Sequence, residues 1–267
     1  MSAIRFAPGE TVRTAYRQIG SGPLLLLIHG AEADHTMFLD SMAVLAADFS
    51  VVAYDQRDSG ATENSGEPYG LESLADDAAV LIEFLLQSSG ESSLHVYGTS
   101  FGGQIAQVLA ARHPRLVNRL VLGSTWAVGR QLGDINPAAL ERLASLRVQL
   151  PESAAQIAAF FFSEAFLETH PETVEMFRGS QRTSDQARLR ALLMQSAPPA
   201  LNFSDITAPT LLLAGSADRL IPATETFALA RCIADTRQQE LAGLPRVGAI
   251  EDPKRLAEAI RTFLLPA

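Results

Sequence analysis

The segment that decides the fold is residues 94–103, which read Leu94-His95-Val96-Tyr97-Gly98-Thr99-Ser100-Phe101-Gly102-Gly103. Its apolar start predicts a buried strand, and the amphipathic run over 103–112 predicts a helix that ends before Pro114. Between them lies a Gly-x-Ser-x-Gly pentapeptide, in which the serine sits on a sharp strand-to-helix turn and the glycines leave room where a Cβ would clash. The stretch therefore predicts an α/β fold and makes Ser100 a candidate nucleophile.

Short apolar segments alternate with segments of helical length along most of the chain. The pattern predicts strands at 11–18, 24–28, 51–54, 94–97, 120–122, 210–214 and 237–241. Residues 71–87 place apolar side chains at a 3.6-residue period, which predicts a helix packed on one face of a sheet. Such alternation is typical of βαβ units, so we expect a mostly parallel sheet flanked by helices.

The alternation stops between residues 126 and 202, where helical patterns follow one another without a strand pattern between them. We therefore expect a core domain of residues 1–125 and 203–267, with a helical cap, or lid, of residues 126–202 inserted after the sixth strand. Ligands of open α/β sheets bind at the carboxyl ends of the strands, and a cap in this place would cover them.

Four further segments carry a resemblance to a known family. Residues 24–30 end in His29-Gly30, residues 54–60 read Tyr-Asp-Gln-Arg-Asp-Ser-Gly, residues 210–218 end in Asp218, and residues 244–253 read Leu-Pro-Arg-Val-Gly-Ala-Ile-Glu-Asp-Pro. With the serine pentapeptide, these segments stand in the order found in the α/β-hydrolase family, which the chain resembles over nearly its full length. Asp58 stands where the corresponding loop of that family has glycine.

The resemblance implies a catalytic triad with Ser100 as the nucleophile and Asp218 as the acid that orients the base. It also implies an oxyanion hole formed by the backbone amides of Ala31 and Phe101. The histidine of the family's terminal loop, in which Gly-His precedes a short spacer and a proline, falls on Ala249. Because a methyl group cannot accept a proton, the chain as written is predicted to lack its general base.

Two explanations of Ala249 stay open. In one, the base was removed deliberately from an active hydrolase so that a bound molecule stays trapped; in the other, it was lost naturally in a ligand-binding relative. Retention of Ser100, Asp218 and residues 251–253 favours deliberate removal, since a chain freed of catalysis has little reason to keep the acid.

Other side chains are candidates for supporting roles. The sequence has no histidine after His170, and His29, which precedes the oxyanion glycine, is predicted to hold that loop. His35 is expected near the mouth of the pocket, where it is a candidate for substrate binding. Trp126 and Phe161 are further candidates for lining the substrate pocket, with core packing as the alternative for both.

Composition limits the class of partner. The chain has 267 residues, a net charge of −9 and a pI near 5.1, which argues against nucleic-acid binding. Cys232 is its sole cysteine and no Cys/His cluster has metal spacing, so no disulfide, metal or cofactor is expected. No secretion signal is apparent near the start, and the longest apolar run, 24–28, is too short to span a bilayer. We expect a cytoplasmic protein without a membrane partner, either a monomer or a homodimer.

Together these features predict a serine hydrolase that cleaves a carboxylic ester or lactone through an acyl-enzyme at Ser100 and is inactive or very slow as written. The apolar helical segment indicates a small to medium substrate of moderate hydrophobicity. Two other interpretations stay open, a naturally inactive ligand-binding relative and a hydrolase of C–C bonds, because the fold alone does not choose among them.

Overall fold

The computed structural model describes residues 3–179 and 182–265. Within these ranges the sheet contains nine strands: β1 (Arg5–Ala7), β2 (Val12–Ile19), β3 (Leu24–Ile28), β4 (Ser50–Tyr54), β5 (Glu63–Asn64), β6 (Leu94–Thr99), β7 (Val117–Gly123), β8 (Thr210–Gly215) and β9 (Thr236–Leu241). Their order is β1-β2-β4-β3-β6-β7-β8-β9, with β5 paired to β2. All pairings that do not involve β2 are parallel, whereas β2 pairs antiparallel with β1, β4 and β5.

The parallel strands bring the candidate residues to one edge of the sheet. β3 reads Leu-Leu-Leu-Leu-Ile and is buried throughout, as expected for a parallel strand that is covered on both faces. Because β6, β7 and β8 run side by side in the same direction, their carboxyl ends lie together. Ser100 directly follows β6, and Asp218 lies in the turn after β8. The topology therefore places both residues at the same edge.

Helices cover both faces of the sheet. They are α1 (Leu39–Leu45), α2 (Leu71–Ser89), α3 (Phe101–Arg112), α4 (Leu132–Ile135), α5 (Pro137–Arg147), α6 (Ala154–Ala158), α7 (Glu164–Thr169), α8 (Ser184–Gln195), α9 (Ala223–Phe227), α10 (Gly248–Glu251) and α11 (Pro253–Leu264). The apolar residues of α2 and α3 pack on one face, and those of α1 and α11 pack on the other. No helix in the described ranges combines the length and the apolar character needed to cross a bilayer.

The predicted α/β architecture, a mostly parallel sheet flanked by helices, is confirmed. Each predicted strand coincides with an observed one, and their ends differ by at most three residues. β1 and β5 were not predicted, because strands of three and two residues are too short to show a periodic pattern. The helical segment follows β7, which is the seventh strand in chain order and not the sixth as predicted.

Residues 126–202 contain α4 to α8 and a 3₁₀ helix at Pro171–Phe177, and the described residues among them form no strand. Their apolar cluster includes Trp126, Leu143 and Ile157, and it packs against Leu220 and Ile221, which follow β8. The helical segment is therefore fixed to the loop that carries Asp218.

Candidate active site

Ser100 stands between β6 and α3 with a strained backbone. Its φ is 57° and its ψ is −125°, a conformation that residues other than glycine rarely adopt. Its amide donates to the carbonyl oxygen of Gly123 at 2.9 Å, which ties the turn to β7. A Cβ on Gly98 would lie 2.4 Å from the carbonyl oxygen of Gly102, and a Cβ on Gly102 would lie 2.3 Å from that of Ile28. The close packing of the turn therefore requires both glycines of the pentapeptide.

The loop after β3 lies beside the Ser100 side chain. A Cβ built on Gly30 would be 3.7 Å from Ser100 Oγ, and Ala31 is the next residue. Phe101 is the first residue of α3, so its amide has no acceptor within the helix. The two segments that carry the candidate oxyanion amides are thus neighbours of the Ser100 hydroxyl.

His29 holds this loop. Its Nδ1 donates to the carbonyl oxygen of Gly30 at 2.8 Å, and its Nε2 accepts from the amide of Gln56 at 3.2 Å. The side chain of Gln56 also donates to the carbonyl oxygen of His29 at 2.7 Å. Burial lowers the pKa of His29 to about 4, so the ring is neutral at pH 7. These bonds fit the loop-holding role expected of His29.

Asp218 presents a buried carboxylate in the turn after β8. Oδ1 accepts hydrogen bonds from the amides of Leu220 at 2.8 Å and Ile221 at 2.9 Å. The helical segment packs against these same two residues, so the packing of that segment and the orientation of the carboxylate both depend on the turn after β8. Oδ2 accepts from Nη1 of Arg246 at 3.0 Å.

The guanidinium of Arg246 lies between Asp218 and Ser100. Nη1 donates to Asp218, and Nη2 donates to Ser100 Oγ at 2.6 Å. In a serine triad this place, between acid and nucleophile, belongs to the histidine that takes the serine proton. Arginine side chains stay protonated in proteins and have no acceptor atom, so an arginine in this place cannot act as that base.

Ala249 does not lie where the sequence placed it. It belongs to α10, where its side chain is 3% exposed and packs in the apolar layer with α1 and α11. Its carbonyl oxygen accepts from Ser41 Oγ at 2.9 Å. The prediction is therefore corrected: the residue that stands in space between the acid and the serine is Arg246, three positions earlier in the chain.

The sequence carried an ambiguous signal for Arg246. Gly248-Ala249 matched the Gly-His dipeptide of the family pattern, which placed the missing histidine at position 249. In the structure the carbonyl oxygen of Leu244 accepts from the amide of Ala217 at 3.1 Å, which docks the start of the loop on the turn of the acid. This contact holds Leu244 beside the acid, and Arg246 follows it by two residues.

His35 is used inside the protein. Its Nδ1 donates to Asp55 Oδ1 at 2.7 Å, and its Nε2 accepts from Arg17 Nε at 2.9 Å. Asp34, His35 and Asp55 bring three possible metal-ligand atoms within 4.8 Å of one another. The carboxylate of Asp55, however, already accepts from the amides of His35 and Ala61. Burial alone would raise the pKa of Asp55, yet its hydrogen bonds with His35 and Ala61 outweigh burial and hold that pKa below its usual value. The group therefore supports the loop after β3.

Trp126 and Phe161 both belong to the apolar cluster of the helical segment. Trp126 is 5% exposed, and its indole N–H donates to a backbone carbonyl oxygen at 3.0 Å. Phe161 is half-buried and stacks on Phe177, with 5.2 Å between the ring centroids. The carbonyl oxygen of Phe161 accepts from the amide of Val247 at 3.3 Å. Trp126 is thus a core-packing residue, whereas Phe161 adjoins the loop that carries Arg246.

Two arginines of the helical segment reach the loops around Ser100, a connection that the sequence did not indicate. Their acceptors are oxygens of the core loops: the carbonyls of Ala31 and Asp58 for Arg182, the carbonyl of Arg57 for Arg190, and Ser59 Oγ for both. Arg190 is buried, and its guanidinium carbon lies 5.6 Å from the centroid of the Phe101 ring. These partners are more than 120 residues away along the chain, which no local pattern can reveal.

The carboxyl edge of the parallel sheet holds a strained serine beside a glycine loop, a buried carboxylate, and a side chain that bridges the two. This arrangement has the form of a serine hydrolase site of the α/β type. Residues 22–245 match the family of hydrolases described as serine aminopeptidase, S33. The chain therefore belongs to this α/β-hydrolase family.

Individual relatives are hydrolases of several kinds. The chain is 27% identical to the 2-(acetamidomethylene)succinate hydrolase of Mesorhizobium japonicum, over 93% of this chain and 90% of that protein. It is 29% identical to a poly(3-hydroxyalkanoate) depolymerase of Ectopseudomonas oleovorans, over 80% of this chain and 75% of that protein. The crystal structure of a hydrolase from Pseudomonas aeruginosa is similar with a TM-score of 0.77 and 28% identity, covering 98% of both chains.

The chain spans about half the length of other curated relatives that it matches. Uncharacterised proteins of Mycobacterium tuberculosis and Mycobacterium bovis are 30% identical over 61% of this chain, which corresponds to 48% of their own length.

Proposed function

We propose that this chain is a serine hydrolase of carboxylic esters or lactones in which Arg246 replaces the general base, so that turnover by the chain as given is very slow. The observation that carries the proposal is the pair of hydrogen bonds from Arg246, at 3.0 Å to Asp218 and at 2.6 Å to Ser100. The guanidinium takes the place of an imidazole, while the nucleophile and the acid of a triad keep theirs.

The chemistry of the site supports slow acyl transfer. Attack by Ser100 on an ester carbonyl requires loss of the hydroxyl proton, and in the described part of the chain the side chain bonded to Ser100 Oγ is Arg246, which can only donate. The amides of Ala31 and Phe101 would still stabilise the oxyanion, so some catalysis survives. In other serine hydrolases, loss of a triad member lowers kcat on the order of 10⁴ to 10⁶-fold.

The same geometry supports natural loss of the base over deliberate removal. Deliberate removal needs only a shorter side chain, such as the alanine assumed from the sequence. Arg246 is instead larger than histidine, is almost fully buried, and makes well-formed hydrogen bonds to both Asp218 and Ser100. Such a fit is typical of a residue that has been selected for its place.

We further propose that residues 126–202 form a cap over a core of residues 1–125 and 203–267. The apolar cluster around Trp126 and Phe161 supports a small to medium substrate of moderate hydrophobicity. The names of the relatives support hydrolysis as the reaction class. The lone Cys232 supports a reducing compartment such as the cytoplasm, and the acidic composition supports a small-molecule partner over nucleic acid, with monomer and homodimer both open.

The variant Arg246→His tests the proposal, because a histidine here would stand between Ser100 and Asp218. We expect kcat/KM for p-nitrophenyl butyrate to rise by about 10³-fold or more over the parent. Ala249→His is the matched control: its ring would enter the buried layer around α10, so we expect no gain. Ser100→Gly in the Arg246→His background should return the rate to that of the parent.

Equal rates for folded parent and Arg246→His proteins, with Ser100 unlabelled by a fluorophosphonate in both, would refute the hydrolase and leave the ligand-binding relative. A gain from Ala249→His alone would restore Ala249 as the position of the base. Activity of Arg246→His on a β-diketone but not on esters would support the C–C bond hydrolase.

A further inference from the structure

The hydrogen bond between Arg246 and Ser100 runs in the opposite direction from the one in a serine triad. In a triad the serine hydroxyl donates to the histidine, which prepares its proton for transfer. Here Nη2 of Arg246 donates, and Ser100 Oγ accepts at 2.6 Å. A hydroxyl that accepts on one side keeps its own hydrogen free to donate on another. Ser100 is therefore arranged as a hydrogen-bond donor.

Other donors lie close to this hydroxyl. Phe101 follows Ser100 at the start of α3, where the aligned peptide dipoles leave a partial positive charge. A Cβ on Gly30 would be 3.7 Å from Ser100 Oγ, and the carbonyl oxygen of Ala31 is held by Arg182, which fixes that peptide. If the amides of Ala31 and Phe101 form the oxyanion hole that the family resemblance implies, the hydroxyl of Ser100 completes a group of donors at one place.

Three arginines lie around this place, and carboxylates balance their charges to different degrees. The charge of Arg246 is balanced by Asp218, and that of Arg182 by Glu32 at 2.9 Å. Arg190, 3% exposed and close to the Phe101 ring, donates to neutral oxygens, and among the described residues its Nε has no hydrogen-bond partner. Asp58 and Glu32 act on Arg190 only through space.

We propose that Ser100, Ala31 and Phe101 bind the carboxylate of a small organic monoacid, with Ser100 as a donor to the ligand and Arg246 as the residue that sets its direction. The proposal rests on the proposed function for the assignment of the two amides. It involves no covalent step. Ser100 is partly exposed whereas Arg246 is buried, so we expect the ligand to contact the hydroxyl of Ser100.

The donor set favours an acid over its ester. A carboxylate accepts charge-assisted hydrogen bonds, which are roughly twice as strong as those to a neutral carbonyl. It also carries two oxygens, one for the amides and one for the hydroxyl of Ser100. The acid is the product of ester hydrolysis, so the arginine turns a site for the transition state into a site for the product.

Calorimetric titration of the unmodified protein with sodium hexanoate and with hexanamide at pH 7.5 tests this. We expect hexanoate to bind at least about tenfold more tightly, because only the acid gains from charged acceptors. Ser100→Gly, which tolerates the φ of 57°, should weaken hexanoate about tenfold and hexanamide by less. Ser88→Ala on α2 is the control serine and should bind like the parent.

Arg246→His supplies an independent readout. Its imidazole would take the hydrogen of Ser100, so hexanoate affinity should fall by about tenfold while ester hydrolysis appears. Equal affinity for acid and amide, no binding of hexanoate, or an unchanged affinity in Ser100→Gly would each overturn the inference. If Arg246→His gains esterase activity but the parent does not bind hexanoate, only the carboxylate-binding inference is refuted. If the parent binds hexanoate through Ser100 but Arg246→His gains no esterase activity, only the proposed hydrolase function is refuted.

Discussion

At the scale of single residues, the backbone of Ser100 sets strict demands on the glycines beside it. A Cβ on Gly102 would lie 2.3 Å from the carbonyl oxygen of Ile28 and 2.4 Å from that of His29, and backbone atoms of a central strand cannot easily move. We expect Gly102→Ala to lower the free energy of unfolding by about 2–4 kcal/mol, measured by urea denaturation.

Gly133→Ala in α4 is the matched control. Its Cβ would meet only Leu140 Cδ2, at an ordinary 3.7 Å, so its stability should stay within about 1 kcal/mol of the parent. Equal losses in the two variants would mean that glycine is needed at position 102 for flexibility and not for space.

Buried histidines make the stability of the fold depend on pH. Burial lowers the pKa of His95 to about 4, and that ring packs edge-on against Phe49. Below about pH 6.5 the unfolded chain therefore binds more protons at this histidine than the folded chain does. The contribution of the neutral ring to the free energy of unfolding is complete above about pH 6.5 and is lost as the pH falls toward 4. We expect His95→Phe to reduce the loss of unfolding free energy between pH 7.5 and pH 5 by up to about 2 kcal/mol. A parallel loss in parent and variant, measured by urea titration at both values, would contradict this.

The candidate site could be located from the sequence only in part. Ser100 and Asp218 each follow a predicted strand within a short motif, so their positions at one sheet edge were predictable. Arg246 was missed because its partners are 28 and 146 residues away, and only packing decides which residue of its loop meets them. Ala249 matched the family pattern in sequence but lies in the apolar layer instead.

At the scale of elements, α8 is tied to the loops that frame Ser100. Arg190 donates to the carbonyl oxygen of Arg57 at 2.7 Å and lies over the ring of Phe101. In the Arg246→His background, we expect Arg190→Met to lower kcat for p-nitrophenyl butyrate about tenfold with little change in KM, because the position of the amide of Phe101 matters most in the transition state.

Arg188→Met, at an exposed position on the same helix, is the control, and it should keep the kcat of the Arg246→His protein. A rise in KM at constant kcat for Arg190→Met would show that Arg190 serves substrate binding and not the geometry of the site. Arg190→Lys should rescue kcat only in part, since an ammonium cannot reproduce the planar fork.

Elements were more predictable than their contacts. Strand and helix periods are local properties of the sequence, which is why the strands at 24–28 and 210–214 were predicted to within one residue of β3 and β8. The attachment of α8 to the core loops depends on pairs more than 120 residues apart, and no period encodes them.

At the scale of the whole molecule, the helical segment and the core share the turn of Asp218. Leu220 and Ile221 donate to the carboxylate through their amides and also complete the apolar cluster that contains Trp126. Loss of the buried Trp126 side chain should therefore act on the whole fold, with Trp126→Ala lowering the free energy of unfolding by about 3–5 kcal/mol. Chemical denaturation measures this, and a change confined to substrate preference would contradict it.

Phe161 offers the sharper test of a cap that selects substrates. It is half-buried at the edge of the apolar cluster, and its carbonyl oxygen accepts from the amide of Val247, next to Arg246, so its backbone adjoins the loop of the site. In the Arg246→His background, we expect Phe161→Ala to lower kcat/KM for p-nitrophenyl hexanoate about tenfold and to change p-nitrophenyl acetate by less than about threefold, because only the longer chain reaches the ring. Phe166→Ala, which removes a ring stacked on Phe162 and His170, is the matched control and should alter both esters equally. If Phe161→Ala also changed both esters by one common factor, the segment would serve stability, and the inference of a moderately hydrophobic substrate would lose its support.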